Sequence, residues 1–512
     1  MRNAIYGILQ VRNYHLFFNH LKNQKTMKKL STLLIAAVLV FGMTQCKKNV
    51  ETAATPNNIG EPVHITLNVD GGDRHDVFTN TGAVVYTDGD VIYVGNNGKY
   101  IGYLTYGNGA FSGDIYSPSA ADYLHFYFVG GLTPSTTPVA NSTENFTVNI
   151  ADQSSKLPVL SYNHSTQKYT DGNATYGCTL LNKCGLVKFV TGTPTSNTVF
   201  VGGMKTQATI NFATPGITPT DATGVVALYA ESDAAKWAIL LVQDEVSTPT
   251  ATIAGYTSTI TSVPAVTENI YYTNGGNGVS ISMTPFAPEF SVSGTKAVQF
   301  APGNLQYKDG TGWRFAPNQW DIIGSWNTSD WVDLFGWGTW GDEKNPLNTS
   351  DDNTDYEWST DFQGTLGGHN DWYTLSSDEW RDLFFNRTDA ANKVGNATVC
   401  GNHGIIILPD SFMDPMTNKG SYAFAPIVTD GWDVNVYTAG VNWDAMEAAG
   451  AVFLPATGFR SGTDMYYVGS WGTYWSSSDF EYRTASYAEF DGYRLDVDAG
   501  PRGDGLPVRL VR

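Results

Sequence analysis

Near its C-terminal end the chain gathers side chains suited to noncovalent recognition. Trp471, Thr473, Asp479, Phe480, Glu481, Tyr482 and Arg483 are followed by Tyr487, Glu489, Asp491, Tyr493, Arg494 and Asp496. Tyr and Trp offer large, rigid contact area with a polar handle, and Asp, Glu, Thr and Arg add adaptable hydrogen bonds, the chemistry of paratopes and sugar platforms. These residues are the candidate ligand-binding set, while Tyr474, Trp475, Ser476 and Ser477 read as internal scaffold. Alternation of Leu495, Val497 and Ala499 with Arg494, Asp496 and Asp498 predicts a strand with one buried and one solvated face.

Other chemistry finds less support. Metalloprotease, nucleophile-elbow and phosphate-loop signatures are missing, and Gly95 to Tyr100 fails the last of these on spacing. Asp378 and Glu379 suit a helix N-terminus as well as they suit acid–base work. Asp351, Asn353, Asp355 and Glu357 place oxygen atoms at alternate positions, a spacing that can wrap calcium. Tyr356 replaces an EF-hand's central glycine and Phe362 its closing Glu, so a solvated acidic loop is expected. No catalytic residue, metal ligand or cofactor is assigned, and the chain is expected to be a binder and not an enzyme.

The elements that must present these residues follow from composition. Hydrophobic residues make up 42% and charged residues 15%, with 53 glycines and 22 prolines, a balance favouring strands and turns. From Glu61 to about Met283 short apolar runs such as Val63–Val69 and Asp90–Val94 are broken by Gly, Asn, Asp or Pro, which predicts β-sandwich packing. Val225–Tyr229 and Trp237–Val242 continue the series. Past the joint Pro285–Pro288 the vocabulary changes: thirteen of the fourteen tryptophans lie between Trp313 and Trp475. Here Ser377 is expected to cap a short helix whose Trp380 and Phe384 share one face, and a second helix is expected over Trp443–Ala449.

The N-terminal end reads as an export signal. Met27-Lys28-Lys29 precedes the apolar run Leu30–Phe41 and then Cys46, too short a run for the ~20 residues that span a bilayer. Cys46 after this run resembles a bacterial lipobox, with Gln45 and Met43 departing from its commonest residues, which implies lipid attachment at Cys46. Residues 1–26 read as a misassigned start, 27–45 as the lipoprotein signal peptide and 46–60 as a flexible tether. A formal charge of -19 disfavours nucleic acid and anionic lipid surfaces. Cys178 and Cys184 could pair only across a turn near Asn182–Lys183, and Cys400 is expected to be an inert buried thiol.

Two resemblances sharpen this outline. Asp88-Gly-Asp-Val-Ile-Tyr-Val94, Ser117-Pro118, Asp122–Tyr127 and Gly185-Leu-Val-Lys-Phe189 resemble fimbrillin-like proteins, which implies two β-sandwich subdomains over 61–285, split near 185. Gly404–Asp410, Gly450–Ala456, Gly458-Phe-Arg460, Tyr474–Ser478 and Val508–Arg512 resemble the FISUMP-type domains, which are similar to the formylglycine-generating-enzyme branch of the C-type-lectin-like fold. That implies an irregular α+β domain over 290–512. The enzymes of that branch use two cysteines in this domain, whereas only Cys400 is present, so their chemistry is not carried over.

Arg502-Gly503-Asp504 spells the integrin tripeptide, but Arg502, Gly505, Val508 and Arg509 match the family's closing pattern. Some relatives are variable proteins of diversity-generating retroelements. Adenine-directed mutation of an Asn codon cannot give Glu, so Glu481 and Glu489 argue against every position here being variable.

The expectation is therefore a multidomain chain: an all-β, fimbrillin-like sandwich region followed by a C-type-lectin-like head. Its role would be that of an adhesin or ligand-binding lipoprotein of the cell envelope, on the surface of the outer membrane. Its partner would be a protein or glycan at the cell surface. A structural or tip subunit with fimbrial assembly partners is the alternative, and a carbohydrate-active or modifying enzyme ranks last.

Overall fold

The computed structural model describes residues 61–69, 86–272, 278–340, 346–349, 361–415, 424–438 and 440–512. The expected signal peptide, Cys46, the tether and the acidic loop 351–357 lie outside the described residues. Ile59 to Arg512 form one unit.

Alternation builds the first sheet. In β1 (Pro62–Val69) Ile65 and Leu67 point into the core while His64 and Asn68 face water. β1 pairs antiparallel with Ala110–Tyr116 on one side and parallel with Thr175–Cys178 on the other, so it is an interior strand of an eight-stranded sheet. A three-stranded sheet of Phe146–Asn149, Gln207–Asn211 and Gly216–Pro219 closes over that core, adding Phe146, Val148 and Ile210.

A nine-stranded sheet comes next and contains β2 (Cys184–Thr191), β3 (Val199–Lys205), β4 (Thr223–Ala227) and β5 (Ala235–Leu241). Both faces are buried across these four strands, whereas Ser280 and Ser282 of the strand Val279–Pro285 in the same sheet are exposed. Val187, Phe189, Val199, Val201, Val226, Ala238 and Leu240 line its own core, around which the sheet curls. On the opposite face, Leu186, Trp237, Ile239 and Leu241 join the core of the first sheet, and Phe200, Val225 and Ala227 join a core contributed by the C-terminal region. The unbroken apolar runs Val225–Leu228 and Trp237–Val242 have this physical cause, since strands covered on both sides lose polar alternation. Cys184 is a free, buried thiol, so no bridge forms across the Asn182–Lys183 turn, and Cys178 is buried nearby.

The C-terminal region starts against this sheet. Helix α1 (Ser377–Arg381) runs into a π-helical turn, Asp382–Asn386. Its cap is Ser376 and not Ser377: the Ser376 hydroxyl accepts from Glu379 N while the Glu379 carboxylate accepts from Ser376 N. The rings of Trp380 and Phe384 lie 5.3 Å apart, tilted by 33°, in a shared core. A four-stranded sheet holds β6 (Val394–Val399), β7 (Asn402–Ile407), β8 (Asn435–Tyr437) and, after helix α2 (Val441–Ala448), β9 (Val452–Pro455), in the order β8-β6-β7-β9. Trp443, Ala445 and Met446 of α2 fill the space between this sheet and Phe200, Val225 and Ala227. At the same seam Thr250 Oγ1 donates to Pro415 O at 2.8 Å, and a Cβ on Gly202 would collide with Pro415 O.

The region ends in a three-stranded antiparallel sheet, β10 (Gly472–Asp479), β11 (Thr484–Phe490) and β12 (Leu495–Pro501). The last residues return to its beginning, with Gln299 and Arg512 exchanging backbone hydrogen bonds of 2.9 and 3.0 Å. No described helix is long and apolar enough to cross a membrane.

If the seam is a true core, truncating Phe200 there should be felt in the distant tryptophan-rich region. Phe200→Ala is expected to cost about 3 kcal/mol, read as an earlier urea midpoint in tryptophan fluorescence, which reports mostly on residues 313–475.

Candidate ligand-binding site

Register decides what the final sheet can display. Thr473 pairs with Glu489, Trp475 with Tyr487, Glu489 with Asp496 and Tyr487 with Asp498, so these side chains share one face. Tyr474, Ala488, Phe490 and Val497 point the other way, into the core beneath. A register shift between Trp475 and Asp479 bulges the end of β10 and opens the 480–483 turn.

The sequence-predicted residues separate into three environments. At the first turn Asp479, Phe480, Glu481, Tyr482 and Arg483 are all exposed. Glu481 N donates to Thr484 Oγ1 at 3.0 Å, Thr484 N donates to Glu481 O at 3.0 Å, and Arg483 takes φ 66°, so the turn is tied down at its base. Asp479 lies 3.9 Å from Arg502, whose guanidinium sits over the Trp337 ring and whose Nε donates to Thr484 O. The Arg502-Gly503-Asp504 tripeptide is thus committed to the scaffold through its arginine.

At the second turn Tyr493, Arg494 and Asp496 are exposed and Asp491 is half-buried. Seven residues of β11 at ~3.3 Å each separate the two turns by about 20 Å. The predicted set is therefore not one contiguous patch.

The third group lies inside. Thr473 and Glu489 are each 2% exposed; Thr473 Oγ1 donates to Gly458 O, and Glu489 lies under Arg494 with Oε1 2.5 Å from Nη1. Neither can reach a ligand, which corrects their place in the candidate set: they share a face with the exposed Asp496 and Asp498, but Thr473 lies against the Gly458 backbone and Glu489 beneath the Arg494 side chain. Trp471 is half-buried against Phe459 and Tyr467, and Tyr487 against Trp475, which makes both supports. Arg494 also approaches Asp496 at 3.3 Å and Asp498 at 3.5 Å. Burial pushes the Glu489 carboxyl up to about 7, Arg494 opposing and Asp498, Asp496 and Asp491 reinforcing.

Beneath the sheet is a polar network that carried no readable signal. Arg509 is fully buried; Nη2 donates to Gln319 Oε1 at 2.6 Å and Nη1 to Asn304 Oδ1 at 3.3 Å. Gln319 in turn donates to Glu447 and Ala451 O and accepts from Phe453 N, while Asn304 donates to Tyr474 Oη, which donates to Pro455 O. Burial pulls Arg509 down to about 10, which leaves it charged at neutral pH. Asp333, also buried, accepts from Ile323 N and is pushed up by burial to about 6. No described tryptophan is exposed, Trp475 included, whose Nε1 donates to Phe335 O at 2.7 Å.

The sequence reading also missed neighbours of the second turn. Trp432 stacks on His403 with centroids 5.4 Å apart and planes 8° from parallel, and Gly431 N donates to Gly492 O at 2.8 Å. Only proximity in the fold joins residues so far apart in the chain.

No family model and no curated protein matches the chain. Among solved structures, a proposed cell adhesion protein from Bacteroides uniformis superposes with a TM-score of 0.26 at 17% identity, covering 44% of this chain and 96% of its own. A second such protein, from Bacteroides thetaiotaomicron, gives 0.27 at 11%, covering 44% and 93%. A fimbrial protein from Bacteroides ovatus gives 0.21 at 11%, covering 88% of this chain and 99% of its own. All three scores are low, and the fold rests on the strand registers themselves.

Two measurements probe the interior of the site. Arg509→Ala removes the cation on which Gln319 and Asn304 converge and is expected to cost roughly 3–5 kcal/mol by urea denaturation, with Arg509→Lys also destabilised because the guanidinium fork is lost. Glu489 has its folded pKa raised, so its contribution to stability is complete below the ordinary 4.5 and lost as pH rises through about 7. Glu489→Gln should therefore gain on the wild type between pH 5 and 8 in paired thermal melts.

Proposed function

We propose that the protein is a cell-envelope adhesin in which residues 290–512 form a ligand-binding head carried on the β-sandwich region. One observation carries this reading. The three most exposed large hydrophobic side chains of the described chain are Tyr482 at 79%, Tyr493 at 73% and Phe480 at 56%, and all belong to the two turns of the final sheet. Rings left in water on turns that are held by their own hydrogen bonds are what binding surfaces present and what cores do not.

Supporting features come from both ends of the chain. Export with lipid attachment at Cys46 would hold the protein on the outer membrane, facing outward, and the sequence resemblances give a fimbrillin-like stalk and a C-type-lectin-like head. A binding role fits the head's cysteine: Cys400 is half-buried and its thiol is pushed up to about 11 by burial and by Asp444, Glu447 and Asp321, which keeps it protonated and a poor nucleophile. Adhesion and fimbriae are also named for the superposed Bacteroides chains, at scores too low to weigh in the choice.

A second reading, a fimbrial subunit, is favoured by β1. This N-terminal strand is hydrogen-bonded on both edges and buries Ile65 and Leu67, so its proteolytic release would open a slot for a strand from another subunit.

The two readings part experimentally. Residues 47–512 carrying Phe480→Ala and Tyr482→Ala together should lose about tenfold or more in affinity for a protein target found on a protein array, while melting like the wild type. Unchanged binding by the double variant, or N-terminal processing after β1 accompanied by polymer formation, would favour the subunit.

A further inference from the structure

At the end of the sheet remote from Phe480 and Tyr482, two turns from different parts of the chain are locked together. Asn396 on β6, fully buried, donates through Nδ2 to Gly431 O at 3.0 Å and to Gly492 O at 2.9 Å, and Gly431 N donates to Gly492 O at 2.8 Å. A Cβ on Gly492 would lie 3.5 Å from Trp432 Nε1, so the indole sits against the turn that carries Tyr493. His403 backs the indole in a parallel stack, and its Nδ1 bonds to Gly469 O at 2.8 Å, which makes Nδ1 the protonated nitrogen. Phe490 meets the same indole edge-on at 6.5 Å. Trp432 is thus a half-buried ring fixed on two sides, next to a tyrosine that is 73% exposed.

We propose that Trp432 and Tyr493 form an aromatic platform for a carbohydrate, a recognition surface separate from the Phe480–Tyr482 tip. It rests on the head being the recognition element. The chemistry around the rings favours a sugar over a second protein. Asp430 and Asp433 are exposed beside Trp432 and Asp491 is half-buried beside Tyr493. Carboxylates only accept hydrogen bonds and so suit the dense hydroxyl donors of a sugar, while the exposed Tyr493 ring and the indole face turned away from His403 would meet its C–H surfaces. The acidic surroundings and the chain's charge of -19 select against sulfated or other anionic glycans. The tip, by contrast, projects Phe480, Tyr482 and Arg483 together, the residue types of protein hot spots.

The test uses residues 47–512 on a printed array of neutral, amino-bearing and anionic oligosaccharides. Trp432→Ala and Tyr493→Ala are each expected to weaken the neutral or amino-glycan signal about tenfold, with Trp432→Phe retaining most of it and the Phe480→Ala/Tyr482→Ala double variant unchanged. Tyr493 is exposed enough that its replacement cannot be excused by misfolding. Glycan binding insensitive to Trp432→Ala and Tyr493→Ala, binding lost only in the tip variant, or no glycan retained by the wild type would each overturn the platform. In the last case a protein target still lost on changing the tip would leave the head's role as the recognition element intact.

Discussion

Everything displayed at the C-terminal end depends on strands of one sheet, β2 to β5, that are buried on both faces. The nine-stranded sheet encloses its own core with one face and meets two others with its back: the first sheet at β2 and β5, and α2 with the four-stranded sheet at β3 and β4. Burying Phe200, Val225, Ala227, Trp443 and Met446 in one apolar volume removes water from both partners at once, a contact more like a domain core than a docking surface. A ligand pulling on the final sheet would load the sandwiches through packed side chains and not through a hinge.

Within the head, stability and display are divided between inner and outer residues. Arg509, Gln319, Asn304, Tyr474 and Glu447 form a buried polar network in which amide and guanidinium groups take up one another's hydrogen bonds. Such a network is costly to assemble and more costly to break, which suits a scaffold that must hold irregular loops in one arrangement. The surface it supports is the reverse: short turns tied at their bases, with aromatic rings left in water. Glu489 lies between the two regimes, a nearly buried carboxyl under an exposed arginine, which is why its protonation falls near neutral pH.

Much of this was legible in the residues, for identifiable reasons. Period-two alternation marked β1 and β12 because each has one wet face, and the shift in tryptophan usage after Pro288 marked a region whose rings fill an irregular interior. The turn residues Phe480, Tyr482 and Tyr493 were legible because nothing apolar nearby could cover them. What failed were inferences needing a third dimension. Thr473 and Glu489 are of types common at surfaces, and only the fold lays the Gly458 backbone against one and the Arg494 side chain over the other. Trp432 carried no signal of its own because its approach to Gly492 spans sixty residues of chain. Arg509 looked like part of a closing phrase, and its partners Asn304 and Gln319 lie some two hundred residues earlier. The unbroken apolar runs at Val225 and Trp237 did carry the signal of two-sided burial, and placing them in one series with the alternating runs hid the seam.

The seam is tested most directly by hydrogen exchange on the intact chain in rising, sub-denaturing urea. Amides of β3 and β4 and those of α2 and β9 should converge on one opening free energy and exchange together, as parts of one cooperative unit. Opening of α2 and β9 at clearly lower urea, with β3 and β4 still protected, would contradict it and return the head to the status of a loosely docked domain.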